Sequence, residues 1–338
     1  MSKRASWVMA VALAVVCSLG WVTAVNAQES KETLELFQRG LTQYQTGDYA
    51  QARESFTEVL AADPSLETAL RMRQLAELGT FVEMQKQEDL REVARELQAL
   101  TTRATRARKR QVDNPEQLLS DFQSLDVEDY VRAAAVLRSH GPFAVPYMLP
   151  LLKLEGDNQV DARTIGRTIA ALSDMHEDTA LPLIEVLEGT EDEVLMTRVA
   201  GILASLRDSR ALPALAKVAR NEELLTATRD AASQAIRSIT GLPREGLMGT
   251  TELYLDLTRD YYERRSARVG YTYGIRGAVW DWSNEQKTVA YKLVPNYLYH
   301  DVMAVNTALE GLKGAPKNQE LKAYVVAGMA RQLGNVRR

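Results

Sequence analysis

Apolar and polar positions between Pro142 and Gly241 follow a phrase that returns three times. Ala144-Val145-Pro146, Ala180-Leu181-Pro182 and Ala211-Leu212-Pro213 stand 36 and 31 residues apart. Each leads into an apolar or small-residue stretch: Met148 and Leu149, Leu183 and Ile184, Leu215 and Ala216. Proline lacks the N–H that the first turn of a helix leaves unpaired in any case, so each phrase predicts a helix start. A second amphipathic run follows each one: Ile165, Ile169 and Leu172, then Val199, Ile202 and Leu206, then Ala232, Ile236 and Ile239. These are three- and four-residue steps, the spacing of one helix face. Gly166, Ala170, Gly201, Ala204, Ala231 and Ala235 accompany them and let neighbouring helices approach, and Gly241 predicts a C-cap. A single helix pair has too little apolar face to stand alone. Recurrence at roughly 30 to 45 residues therefore predicts stacked pairs that bury one another's faces.

The phrase, its spacing and the helix after it resemble HEAT repeats, specifically the short type found in phycobilisome lyases. Val131 to Leu137, with Ala133, Ala134 and Ala135, resembles the second helix of a preceding unit, which gives three units and a partial one over 125–241. Near the start, Leu36, Gly40, Tyr44, Gly47, Tyr49, Ala52, Phe56, Val59, Leu60 and Pro64 resemble the signature of one tetratricopeptide repeat over 33–66. Tyr44 lies one place from the family's usual position, and Ala69, Leu70 and Leu75 open a next helix without a second complete copy. One such repeat serves as a helical cap or docking piece, or as part of a peptide groove. Together these resemblances imply an all-α chain, an α-solenoid of tetratricopeptide-like and HEAT-like repeats.

The remaining stretches set the expected boundaries. Residues 1–27 have Lys3 and Arg4 ahead of an apolar run from Trp7 to Val25 and end at Ala27, which predicts a cleaved secretory signal. The alternatives are an uncleaved anchor, because the run approaches membrane-spanning length, or lipidation at Cys17. Residues 28–79 form the tetratricopeptide-like region. Over 80–124, Leu90, Val93, Leu97 and Leu100 predict a long helix running into Arg103, Arg106, Arg108, Lys109 and Arg110. A charge run of this kind is a solvated face or linker, or else a patch for an anionic partner. Asn114 and Pro115 end it, ahead of the array at 125–241. Residues 242–338 hold nine of the thirteen tyrosines, with Trp280 and Trp282. Alternation over 278–282 and 288–294 around a polar turn predicts a β-hairpin 278–294, which Pro295 ends; helices follow over 301–312 and 320–333.

Removal of 1–27 leaves 311 residues with 39 basic and 45 acidic side chains, a net charge of −6, and takes the single cysteine with it. Cysteine-ligated zinc is excluded, and the mild acidity argues against a general nucleic-acid binder. His140, His176 and His300 are far apart and lack partners at metal-binding spacing. The first two are expected in surface turns, and Asp301 is expected as an N-cap. Glu191, Asp192 and Glu193 precede a helix whose dipole they favour. No sequence motif for a catalytic nucleophile, a phosphate loop or a metalloprotease is present, so no cofactor is expected.

Two sets of side chains are candidates for partner binding. Arg163, Arg167, Arg198 and Arg229 lie on the second helices of the array, where guanidinium groups would hold an acidic partner or pair within the array. Arg264, Arg265, Arg268, Tyr271, Tyr273, Trp280 and Trp282 would form a platform for glycan or peptide, or a local aromatic core. The leading expectation is an exported, non-catalytic scaffold for another protein or peptide of a bacterial-type cell envelope. Glycan or cell-wall binding through the C-terminal aromatics is one alternative. The HEAT resemblance implies another, a lyase-like enzyme acting on a bilin.

Overall fold

The computed structural model describes residues 30–153, 161–175, 177–243, 246–270 and 276–336. The expected signal at 1–27, His176, Tyr271 and Tyr273 lie outside these residues. The described chain is mostly helical with one two-stranded sheet, and its packing divides it into two compact units between Gln111 and Val112.

The first unit is built from α1 (30–45), α2 (Tyr49–Ala61), α3 (Leu66–Leu75), α4 (Leu78–Met84) and α5 (Arg91–Arg110). Gly47, at φ 83°, turns the chain between α1 and α2, and the Asp48 side chain accepts from the Gln51 N–H to cap α2. A β-carbon on Gly40 would lie 2.6 Å from the Phe56 ring, so glycine is what allows α1 and α2 to approach. Phe37 packs on both Phe56 and Phe81, with ring centroids 5.7 and 6.3 Å apart. The charged segment differs from a simple linker. Val93, Ala94, Leu97, Leu100 and Ala104 of α5 are buried, and the helix packs on α2 and α3. Its apolar stripe closes this core while its charges occupy the other faces.

The second unit starts with α6 (Pro115–Gln123) and α7 (Val127–His140). Three 3-10 turns, Gly141–Ala144, Glu177–Thr179 and Ser209–Ala211, then run directly into α8 (Val145–Met148), α10 (Ala180–Gly189) and α12 (Leu212–Arg220). Pro146, Pro182 and Pro213 each fall in the first turn of the helix that follows, where no N–H is missed. The partner helices are α9 (Ala162–Ser173), α11 (Glu193–Leu206) and α13 (Thr226–Thr240). Asp161 and Asp192 cap α9 and α11, and Gly241 ends α13 at φ 75°. Helix α10 packs on α11, α12 on α13, and α11 on both α9 and α13, around one apolar core that includes Leu172, Leu183, Val199, Leu203, Leu215 and Ile236.

Residues after Gly241 belong to the same unit. α14 (Thr250–Tyr262) packs on α12, and α16 (Asn296–Gly314) packs on α14 and on α17 (Gln319–Val336). The short α15 (Ser266–Val269) lies between α14 and the sheet. Strands β1 (Arg276–Ser283) and β2 (Thr288–Pro295) are antiparallel, with Trp280 opposite Tyr291 and Trp282 opposite Val289. Opposed residues share a face. Ala278, Trp280, Trp282, Val289 and Tyr291 pack towards the helix-pair core, while Val279 joins Leu257, Tyr261, Tyr299 and Met303. Both faces of the hairpin have apolar neighbours, and this accounts for the aromatic load of the C-terminal third. Phe143 clasps the hairpin with ring centroids 5.5 Å from Trp280 and 5.0 Å from Tyr291.

Two expectations for single residues are corrected. His140 is the last residue of α7 and only 6% exposed, because the chain folds straight into the next 3-10 turn over it. Asp301 lies inside α16 and is fully buried; it faces the side chains of Arg264 and Arg331 and caps nothing.

Candidate functional site

Within the second unit, α10, α12, α14, α16 and the hairpin enclose a cavity of about 610 Å³. This lies in the range of sites for small organic ligands, roughly 300 to 1,000 Å³. Helical spacing explains which side chains reach it. Leu181, Glu185 and Glu188 are four and three residues apart on α10, and Tyr254, Leu257 and Tyr261 are three and four apart on α14. Val302, Asn306 and Glu310 come from α16, and Val279, Asp281 and Ser283 from one face of β1. Edges of Trp280 and Trp282 complete the wall.

The polar groups of the cavity are unevenly matched. The Tyr254 hydroxyl donates to Glu188 Oε1, and Lys217 Nζ lies 2.5 Å from Glu188 Oε2. Lys313 Nζ lies 2.5 Å from Glu310 Oε1, while Glu310 Oε2 has no hydrogen bond and only Lys217 at 3.9 Å. Glu185 is partly buried where it lines the cavity, and no described side chain or backbone group hydrogen-bonds or ion-pairs with its carboxyl. Burial pushes that carboxyl up to about 8, and repulsion from Glu188, Glu310 and Asp281 adds to the effect while Lys313 opposes it. Burial raises Glu310 as well, against the pull of Lys313. Tyr254 is held strongly protonated by burial and by the negative Glu188 carboxylate that accepts its hydrogen bond.

One wall of the cavity is locked. Arg210 Nε lies 3.0 Å from both Asp208 oxygens and Nη2 lies 2.6 Å from Oδ2, each side chain being 7% exposed. Burial works against the guanidinium charge, and the bidentate Asp208 contact outweighs it. Burial likewise pushes the adjacent Tyr261 up to about 12, with Arg210 easing it back.

The array arginines anticipated as a binding row are largely engaged within the chain. Arg167 donates to the Ser124 carbonyl at 2.8 Å and lies 3.9 Å above the Tyr130 ring, and Arg198 donates to the Leu152 carbonyl. Both carbonyls sit at the ends of preceding helical segments, where acceptors lack helical partners. Arg163 pairs with Asp161 at 3.1 Å and Arg229 donates to Thr226 Oγ1 at 3.2 Å. In the C-terminal set, Arg265 and Arg268 converge on buried Asp260 at 3.2 and 2.5 Å, and Arg264 reaches buried Asp301 at 3.5 Å. Trp280 is 4% exposed and belongs to the core, so its ring is no open platform. Trp282 is half-buried over Gly189, where a β-carbon would come within 2.3 Å of the indole.

Sequence reasoning missed Glu185, Glu188, Glu310 and Tyr254. One local signal existed: two carboxylates, three residues apart, on the otherwise apolar run ALPLIEVLEG of α10. Among the described residues no group of three or more His, Cys, Asp or Glu is placed to hold a metal ion, and no helix is long and apolar enough to cross a membrane. No family model matches the chain, and no curated protein or solved structure is similar to it.

Proposed function

We propose that this chain is an exported helical-repeat scaffold whose task is binding rather than catalysis, with the cavity of the second unit as its binding site for an envelope partner or ligand. The observation that carries this reading is the cavity itself: about 610 Å³ walled by five elements, with the unpaired Glu185 carboxyl turned into it. An enclosed space with apolar walls and a few convergent polar groups is the general form of a ligand site. The HEAT-like solenoid reading of 125–241 is supported by the equivalent settings of Pro146, Pro182 and Pro213, each just beyond a 3-10 turn. The contact of Gly40 with Phe56 supports the tetratricopeptide-like reading of the first unit. Export rests on the character of residues 1–27.

The test is in-cell crosslinking. A photoreactive residue at Asp281 or Ala290, both exposed at the cavity, is compared with one at exposed Glu222. A defined adduct from the first two positions and not from Glu222 is the expected result. The same pattern from all three positions, or no adduct from any, overturns the reading.

A further inference from the structure

A largely buried carboxyl group without a hydrogen-bond donor or an ion-pair partner is an incomplete arrangement, since burial of either charge or polarity demands a partner. Glu185 lines the cavity partly exposed, with no hydrogen bond or ion pair among the described residues and Lys313 acting on it only at a distance. Of the cations that line the cavity, Arg210 is engaged by Asp208 and Lys292 is exposed on β2; behind the wall, Lys217 is engaged by Glu188 and, more distantly, Glu310, and Lys313 by Glu310. Asp281 stands at the rim and adds a further negative charge facing Glu185. Ser283, Asn306 and Thr307 add neutral polar groups, and most of the remaining lining is aliphatic and aromatic.

We propose that the cavity receives an organic cation, an ammonium group on an apolar body, whose head neutralises Glu185 and whose body lies against the aromatic and aliphatic walls. This rests on the reading of the cavity as the binding site. The electrostatics repel an anion. A bare hard cation such as Ca²⁺ would need six to eight converging oxygen ligands; among the described residues no three carboxylates are placed to share one metal ion, and Glu188 and Glu310 are held by Lys217, Tyr254 and Lys313. An ammonium on an apolar body matches both parts of the lining, and ring faces add attraction for it.

The arrangement couples binding to a proton. Glu185 is pushed up to about 8 by burial and by Glu188, Glu310 and Asp281, against Lys313. Lys217 and Tyr254 face the same cluster through Glu188, and Lys292 and the Arg210–Asp208 pair line the remaining walls. At neutral pH a proton therefore occupies the charge position the cation would take. Binding expels it, so affinity rises as pH increases towards 8 and levels above it.

The experiment is calorimetric titration of the full chain with benzyltrimethylammonium, which does not titrate, beside benzyl alcohol and benzoate. At pH 8 the cation is expected to bind at least tenfold more tightly than benzyl alcohol, and benzoate not at all. Lowering the pH to 6 should weaken the cation by about 10- to 50-fold, the linkage for one proton released near pH 8. Glu185→Gln, verified as folded by circular dichroism, should abolish both the preference for charge and the pH dependence. Ala290→Trp, which fills the cavity from an exposed strand position, should weaken all binding and keeps the test open if Glu185→Gln fails to fold. Equal binding of benzyl alcohol and the cation, or an undiminished preference in Glu185→Gln, overturns the cation assignment while leaving the cavity as a binding site. No binding of any probe overturns it as well, and crosslinking at the cavity then decides the scaffold reading by itself.

Discussion

Replacement of Glu185 by glutamine should stabilise the protein, and increasingly so as pH rises. The carboxyl has an ordinary value of 4.5 in an unfolded chain and about 8 in the folded one. Below 4.5 both states hold the proton and the group has no effect on stability. Above 4.5 the unfolded state loses its proton while the folded state keeps it, and folding becomes progressively less favourable until pH exceeds about 8. The interval is about 3.5 pH units at about 1.4 kcal/mol each, so the loss is about 1 kcal/mol at pH 5, 3 at pH 7 and 5 at pH 9. Glutamine keeps the shape and cannot ionise, and it recovers the part due to charge; its amide remains without a partner, so the neutral contribution is unchanged. Urea unfolding at pH 5, 7 and 9, followed by fluorescence of Trp280 in the same unit, measures the difference. A variant no more stable than the parent at pH 9, or a difference that stays flat from pH 5 to 9, would refute the claim that this carboxyl is isolated.

Other perturbations test the packing around the site. Arg210→Met leaves Asp208, 7% exposed, without its counter-charge and should cost about 3–5 kcal/mol in denaturant unfolding. Arg163→Ala, at an exposed ion pair, should change stability by no more than about 0.5 kcal/mol in the same assay. Gly277→Ala places a β-carbon 2.4 Å from the buried Tyr299 ring and should cost about 1–3 kcal/mol, seen as a lowered melting temperature of the second unit. Gly40→Ala does the same to Phe56 in the first unit, with a similar loss followed by limited proteolysis between residues 30 and 111.

Alternation and helical spacing are properties of adjacent residues, and where they dominate the sequence was sufficient. The helix starts at Pro146, Pro182 and Pro213, the αL end at Gly241 and the hairpin between Trp280 and Tyr291 all follow from side chains a few positions apart. The mostly helical character of the chain follows from the same local rules. The fate of the charges did not. Arg167 and Arg198 are satisfied by carbonyls 43 and 46 residues away, and α5 hides an apolar stripe behind its basic surface.

The candidate site lies at the far end of that scale. Glu188 meets Lys217 across 29 residues and Tyr254 across 66, and Glu185 and Glu310 face each other from α10 and α16. Each of these residues, taken singly, reads as an ordinary polar position on an amphipathic helix. The sequence by itself determined which segments become helices and strands, because hydrogen-bond geometry and apolar periodicity act over three or four residues. Only the tertiary structure decided that four carboxylates and a group of rings share one cavity, with Lys217 and Lys313 paired to two of the carboxylates. Burial, charge proximity and the absence of a partner are relations between distant segments, and they come into being only when the helices pack.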